Sequence, residues 1–252
     1  MKRLVVLGDS HVAALSQGFD QLGAAERSAF PGEVVFLKLF DGPDNIVPFF
    51  RAADDRIEFT SPRVTDELAA GIGQGALKAS DTDTVFAFSL GLMTTLLVRM
   101  PDWKYGAPVG AWGYTEKKHR LRQLVSPGVV KAIVLDHHKY ALGLAAAARD
   151  LGLRSLIVSA PPLRQDERAI ERGRDPRVLA EVDRIARATM LDAFAGLGTP
   201  VVLPPPEASQ EGAALLRPEF HRIAPRDTHH ANADYGALMI RRVLRQAAET
   251  FG

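Results

Sequence analysis

Short apolar runs alternate along the chain with longer segments whose apolar residues recur at helical spacing. Leu4–Leu7, Val34–Leu39, Thr84–Leu90, Ser155–Ala160 and Pro200–Leu203 are the strand candidates. Their apolar residues are consecutive rather than alternating, as expected of strands covered by helices on both faces. Between them, His11 to about Leu22, Thr65–Ala79, Val129–Leu151, Arg177–Leu197 and Ala233–Thr250 show helical periodicity. In the fourth of these, Val178, Val182, Ile185, Thr189 and Phe194 share one face among charged residues. In the last, Tyr235, Leu238, Met239, Val243 and Ala247 form one stripe, with Asp234 in the first turn and Arg241, Arg242 and Arg245 towards the end, as the helix dipole favours. The alternation predicts an α/β fold: a three-layer α/β/α sandwich around a parallel five-stranded sheet.

Two segments break the rhythm. Pro101–Gly113, followed by Tyr114, holds both tryptophans, Trp103 and Trp112, together with Tyr105 and several Gly and Pro residues. A loop whose rings pack on the domain explains it most simply; as a mobile lid, Trp103 and Trp112 would stack on a substrate's sugar ring. Lys117, Lys118, His119, Arg120 and Arg122 follow as a solvated helical face. Pro161–Pro176 carries Arg164, Arg168, Arg172 and Arg174 among acidic residues, and loops after strands carry function in open α/β sheets.

Composition narrows the partners. The 31 basic and 30 acidic residues of this 252-residue chain nearly cancel, which argues against bulk electrostatic binding to nucleic acid. Without cysteine, disulfides, thiolate metal sites and cysteine nucleophiles are excluded. The apolar run after Lys2 and Arg3 stops at Gly8, short of the roughly 7–15 residues of a secretory core. No stretch reaches the roughly 18–20 apolar residues of a membrane span, so the expectation is a cytoplasmic protein without a membrane partner.

Two stretches carry candidate chemistry. Leu4–Leu7 runs into Gly8-Asp9-Ser10-His11, a strand entering a tight turn before a helix. That geometry puts Ser10 at the carboxyl edge of the sheet, near helix N–H groups that favour a developing negative charge. The plainer reading is that Asp9 and Ser10 are ordinary helix caps. The second stretch is Asp227-Thr228-His229-His230-Ala231-Asn232, just before the last helix. An Asp three residues before a His can accept from its Nδ1–H, leaving Nε2 as a base; alternatively, this is a polar loop with Asn232 as the cap. Together the stretches supply a nucleophile (Ser10), a general base and acid (His230) and an orienting carboxylate (Asp227).

Gly8-Asp9-Ser10 after the first strand and Asp227-x-x-His230 before the terminal helix resemble the first and last blocks of the SGNH hydrolase superfamily, the GDSL-type esterases. The resemblance covers both ends of the chain and the element order between them. It implies one domain over residues 1–252 with a flavodoxin-like fold, and cofactor-free ester hydrolysis through an acyl-enzyme. The substrates it implies are small-molecule or glycan esters: lipid esters, acyl thioesters and acetylated carbohydrates. An oxyanion hole built from the N–H groups of Ser10, Gly42 and Gly91 follows from the same likeness. Met93 stands where the family places an oxyanion-hole Asn; an active enzyme would need a substitute donor, for which Asn45 or a backbone N–H near Met93 or Thr94 is the candidate. A degenerate, non-catalytic binding module on the same scaffold therefore stays open.

Two metal readings also stand beside the triad. Asp136, His137, His138 and His229 offer ligand chemistry, although adjacent histidines point different ways. Asp9 and His11 match the opening Asp-x-His of binuclear metallophosphoesterases, without their downstream Gly-Asp and Gly-Asn-His stretches.

Overall fold

The computed structural model of the chain describes residues 1–112, 123–210 and 215–251. Its elements begin with β1 (Arg3–Gly8), α1 (Val12–Gln21), α2 (Ala24–Arg27), β2 (Glu33–Lys38), β3 (Phe50–Ala52), β4 (Arg56–Phe59), α3 (Pro62–Ile72), β5 (Ala76–Lys78) and β6 (Thr84–Ser89). They continue with α4 (Thr95–Val98), β7 (Gly106–Pro108), α5 (Val109–Trp112), β8 (Gln123–Val125), α6 (Pro127–His137) and α7 (Lys139–Asp150). β9 (Arg154–Val158), α8 (Arg168–Glu171), α9 (Pro176–Gly196), β10 (Val201–Val202) and α10 (Ala233–Glu249) complete the fold.

Five strands pair in parallel in the order β10-β9-β6-β1-β2. Counted along the sheet's own strands this is the doubly wound 2-1-3-4-5 order, whose direction of winding reverses between β1 and β6. The pleat divides the core. Val5 and Leu7 of β1 join Phe86, Phe88 and Ile157 beneath α3, α6, α7 and α9. Leu4 and Val6 join Val85, Ala87, Leu156 and Val158 beneath α1 and α10. Each strand is thus apolar on both faces because it has helices on both, giving a three-layer α/β/α sandwich.

The helices start where their caps dictate. Pro127 and Pro176 occupy first-turn positions, where a missing N–H costs nothing, behind Ser126 and Asp175, whose side chains accept from Val129 and Arg177. Two helices differ from the periodicity. The one expected over Thr65–Ala79 begins at Pro62 and stops at Ile72, because Gly73 takes a left-handed φ of 80°. Beyond it, Ala76–Lys78 pairs antiparallel with β4, which pairs in turn with β3. The helix expected over Val129–Leu151 divides at the buried His138 (φ −106°, ψ 12°) into α6 and α7. The apolar stripe continues across that break, so periodicity alone does not reveal it. Among the described residues no helix is long and apolar enough to cross a membrane.

α1 and α10 cross backbone to backbone. A Cβ at Gly18 would lie 2.1 Å from Ala237 N, and one at Gly236 would lie 1.8 Å from Ala14 O. Only glycine permits that approach. Because α1 follows Ser10 and α10 follows His230, this crossing draws the two ends of the chain to one edge of the sheet.

Candidate active site

β1 ends at the switch point of the sheet, where its backbone nearly touches β6; a Cβ at Gly8 would lie 2.4 Å from Ser89 O. Asp9 follows, fully buried, with Oδ1 accepting the His11 N–H at 2.9 Å. That short Asx turn carries the chain into α1, whose first N–H bonds run from Val12 to Asp9 O and from Ala13 to Ser10 O. Ser10 therefore stands at the positive end of α1. Among the described residues, neither its N–H nor that of Gly91 has an acceptor.

The partner loop is shaped by Asp227, whose Oδ1 accepts the N–H groups of His229 (3.3 Å) and His230 (3.1 Å). The same carboxylate lies 3.0 and 3.1 Å from His230 Nδ1, and His230 Nε2 lies 2.7 Å from Ser10 Oγ. With the imidazole proton on Nδ1 and donated to Asp227, Nε2 accepts from the Ser10 hydroxyl. Asn232 then caps α10 through Tyr235 N–H at 3.1 Å. The structure thus brings Ser10, His230 and Asp227 into one hydrogen-bonded chain.

Residues that the sequence did not single out for this purpose hold that loop. Buried Arg164 donates to His230 O (3.0 Å) and Arg222 O (3.1 Å) while forking onto Asp166. Arg99 forks onto the buried Glu167 (2.6 and 3.0 Å) and also reaches Thr228 Oγ1 (3.2 Å). Within the arginine-rich segment after β9, Arg164 directly and Glu167 through Arg99 therefore support the Asp227–His230 loop. A second network ties the segment after β6 to α9. Thr94 Oγ1 donates to Asp183, which pairs with Arg187, and Arg187 donates to Ser159 Oγ and the Ala160 and Pro161 carbonyls.

Three imidazoles gather here, with His11 and His229 ring centres 5.2 and 3.9 Å from that of His230. Burial, and then the neighbouring His230, push both His11 and His229 down to about 3, so neither competes as a base or carries charge near neutrality. Burial would raise Asp227, but the His230 N–H, the His230 charge and the His229 N–H outweigh it and hold the carboxyl below its ordinary range. Burial pushes Asp9 up to about 6. The folded state therefore binds this proton more tightly than the unfolded chain. Asp9's contribution to stability is complete below about pH 4 and is lost as pH rises through about 6. Asp9→Asn keeps the acceptor oxygen without the charge. Between pH 4 and 7 it is expected to gain roughly 3 kcal/mol relative to the parent, read from urea unfolding at both pH values.

Other sequence-derived positions fare differently. Gly42 opens a 3₁₀ turn, Gly42–Ile46, just beyond β2. Gly91 has φ 80°, and a Cβ there would meet Phe194 Cζ at 2.9 Å and Ala141 Cβ at 3.2 Å, so backbone conformation and close packing together favour glycine. Met93 is buried, leaving no side-chain donor at that position. Trp103 is a correction: it is 1% exposed, belongs to the core cluster, and donates Nε1–H to Leu97 O at 2.8 Å, so its face is covered by protein rather than offered to a sugar. The side chain of Trp112, together with Tyr114 and the basic residues 117–122, lies outside the described residues.

The metal readings find little support in the geometry. Among the described residues, Asp9 and His11 belong to no group of three ligand atoms, and neither do Asp136, His137 and His138. Asp227, His229 and His230 do bring ligand atoms within 4.8 Å of one another. Arg222 and Arg164, 3.7 and 4.0 Å from the Asp227 carboxylate, already supply its positive charge and oppose a dication.

No family model and no curated protein matches the chain. Among solved structures, a protein of Slackia heliotrinireducens assigned to the SGNH hydrolases is 14% identical, with a TM-score of 0.47 over 100% of this chain and 99% of that one. A lipase/acylhydrolase from Enterococcus faecalis is 12% identical, with a TM-score of 0.45 over 99% of this chain and 96% of that one. At these values the likeness carries no argument about chemistry, which rests on the side chains themselves.

Proposed function

We propose that the chain is a serine ester hydrolase of the SGNH type, cleaving an acyl or acetyl ester of a small molecule or carbohydrate. The observation that supports it is the continuous path from Ser10 Oγ through His230 to Asp227, with contacts of 2.7 Å and then 3.0 Å. Ser10 Oγ attacks the ester carbonyl as its proton passes to His230 Nε2, and Asp227 holds the ring and stabilises the imidazolium. The oxyanion forms against the Ser10 N–H at the start of α1, with Gly42 and Gly91 as the further donors of this reading. His230 then protonates the departing alkoxide, leaving an ester on Ser10. Water, deprotonated by the same nitrogen, hydrolyses that ester and restores the serine.

A fluorophosphonate probe tests the reading directly, since covalent capture needs an activated hydroxyl. The expected result is one adduct, mapped to Ser10 by mass spectrometry and absent from Ser10→Ala. The buried Met93 favours a second reading, a binding module with an incomplete oxyanion hole. Missing one donor costs roughly a hundred- to a thousand-fold in turnover, so slow labelling supports an altered hydrolase and no labelling supports the binding module.

A further inference from the structure

An open groove of about 820 Å³ has Asp227 and Thr228 in its lining, with arginines contributed by two segments of the chain. The segment after β9 supplies Arg164 and Arg168, and the turn leading into Asp227 supplies Arg222 and Arg226. Two of the four are committed: Arg164 to Asp166 and the loop carbonyls, and Arg222 to Asp227 at 3.7 Å. Arg168 and Arg226 are exposed, with no carboxylate in ion-pair range among the described residues. Glu171 is the remaining carboxylate on the wall without an ion pair, so the free charge of the groove is positive. Arg226 is also the one non-glycine residue with positive φ (62°) among the described residues, a conformation in which L side chains are disfavoured. Beside these cations the wall is apolar, with Pro218, Pro225 and a fully exposed Ile223.

We propose that this groove holds the non-reacting part of the ester substrate through an anionic group, a carboxylate or a phosphate, gripped by Arg168 and Arg226. The inference rests on Ser10, His230 and Asp227 being an ester-cleaving triad. Guanidinium groups match the geometry of such oxyanions, and the apolar wall suits the frame that carries one. Asp227 links the two places: it lines the groove, and its carboxylate bonds the ring that reaches Ser10. Binding there contributes to the orientation of the scissile carbonyl at a distance from the reacting atoms.

Matched aryl acetates isolate the charge: 4-acetoxybenzoate and 4-acetoxyphenyl phosphate against the neutral 4-acetoxybenzamide. The expected kcat/KM is about tenfold or more higher for a charged ester, the scale of one charge-assisted contact, and the better of the two identifies the anion. The variant Arg168→Gln/Arg226→Asn should bring the charged ester down to the neutral rate and leave the neutral rate unchanged; Asn is chosen at 226 because it tolerates left-handed backbone. Raising the salt should narrow the preference in the parent protein. Equal rates for all three esters, or a preference that the double variant keeps, would overturn the groove proposal and leave the triad standing. No turnover of any ester together with no labelling of Ser10 removes both.

Discussion

Ser10→Ala and His230→Ala are each expected to lower kcat on a reporter ester by roughly 10⁴–10⁶-fold, and the double variant by little more than either alone. The non-additivity is the informative part. Nε2 of His230 lies 2.7 Å from Ser10 Oγ, so each residue works only through the other, and once one is gone there is nothing further for the second change to remove. Losses that multiply would mean that the two side chains act in separate steps. The comparison is made from kcat and KM of the four proteins on one chromogenic ester, with circular dichroism to show that each is folded.

Gly236→Ala is expected to be severely destabilising even though alanine is the better helix former. In an unobstructed helix the change gains up to about 1 kcal/mol. Here the added carbon would lie 1.8 Å from Ala14 O, and the obstruction is backbone, which cannot rotate aside. The helices must part, at a cost of roughly 3 kcal/mol or more, or about 6–12 °C in Tm for a chain of this size. Because α1 and α10 carry Ser10 and His230 at their starts, activity should fall as well, at temperatures where the variant remains folded. Gly196→Ala, near the end of α9 with nothing within 4 Å of the new carbon, is the control and should not destabilise. Similar melting of both variants would show that the crossing tolerates separation.

The five sheet strands were legible because burial on both faces leaves continuous apolar runs, and each lies within a residue or two of its expected position. β3, β4 and β5 were not: at three or four residues, and without the continuous burial of the central strands, they fall below the length at which a pattern stands out. The residues of the candidate triad could be picked out because each lies at a local punctuation mark, a strand ending in Gly-Asp-Ser or an Asp-x-x-His ahead of a cap. Their supports could not. Arg164 meets His230 O across 66 residues and Arg99 meets Glu167 across 68, and no spacing rule links such positions. Trp103 shows the opposite failure. A cluster of aromatic residues looks the same in sequence whether its rings face solvent or, as here, fill the core.

The Ser10–His230 contact spans 220 residues. During synthesis the serine is made first and waits for an imidazole that follows 220 residues further along the chain. Closing so long a loop adds little entropy beyond that of a shorter one, but it fixes the order of events. A chain that stops short of His230 lacks the Ser10 contact, which forms only as α10 docks against α1. In the proposed hydrolase, onset of turnover would therefore report the docking of α10 against α1.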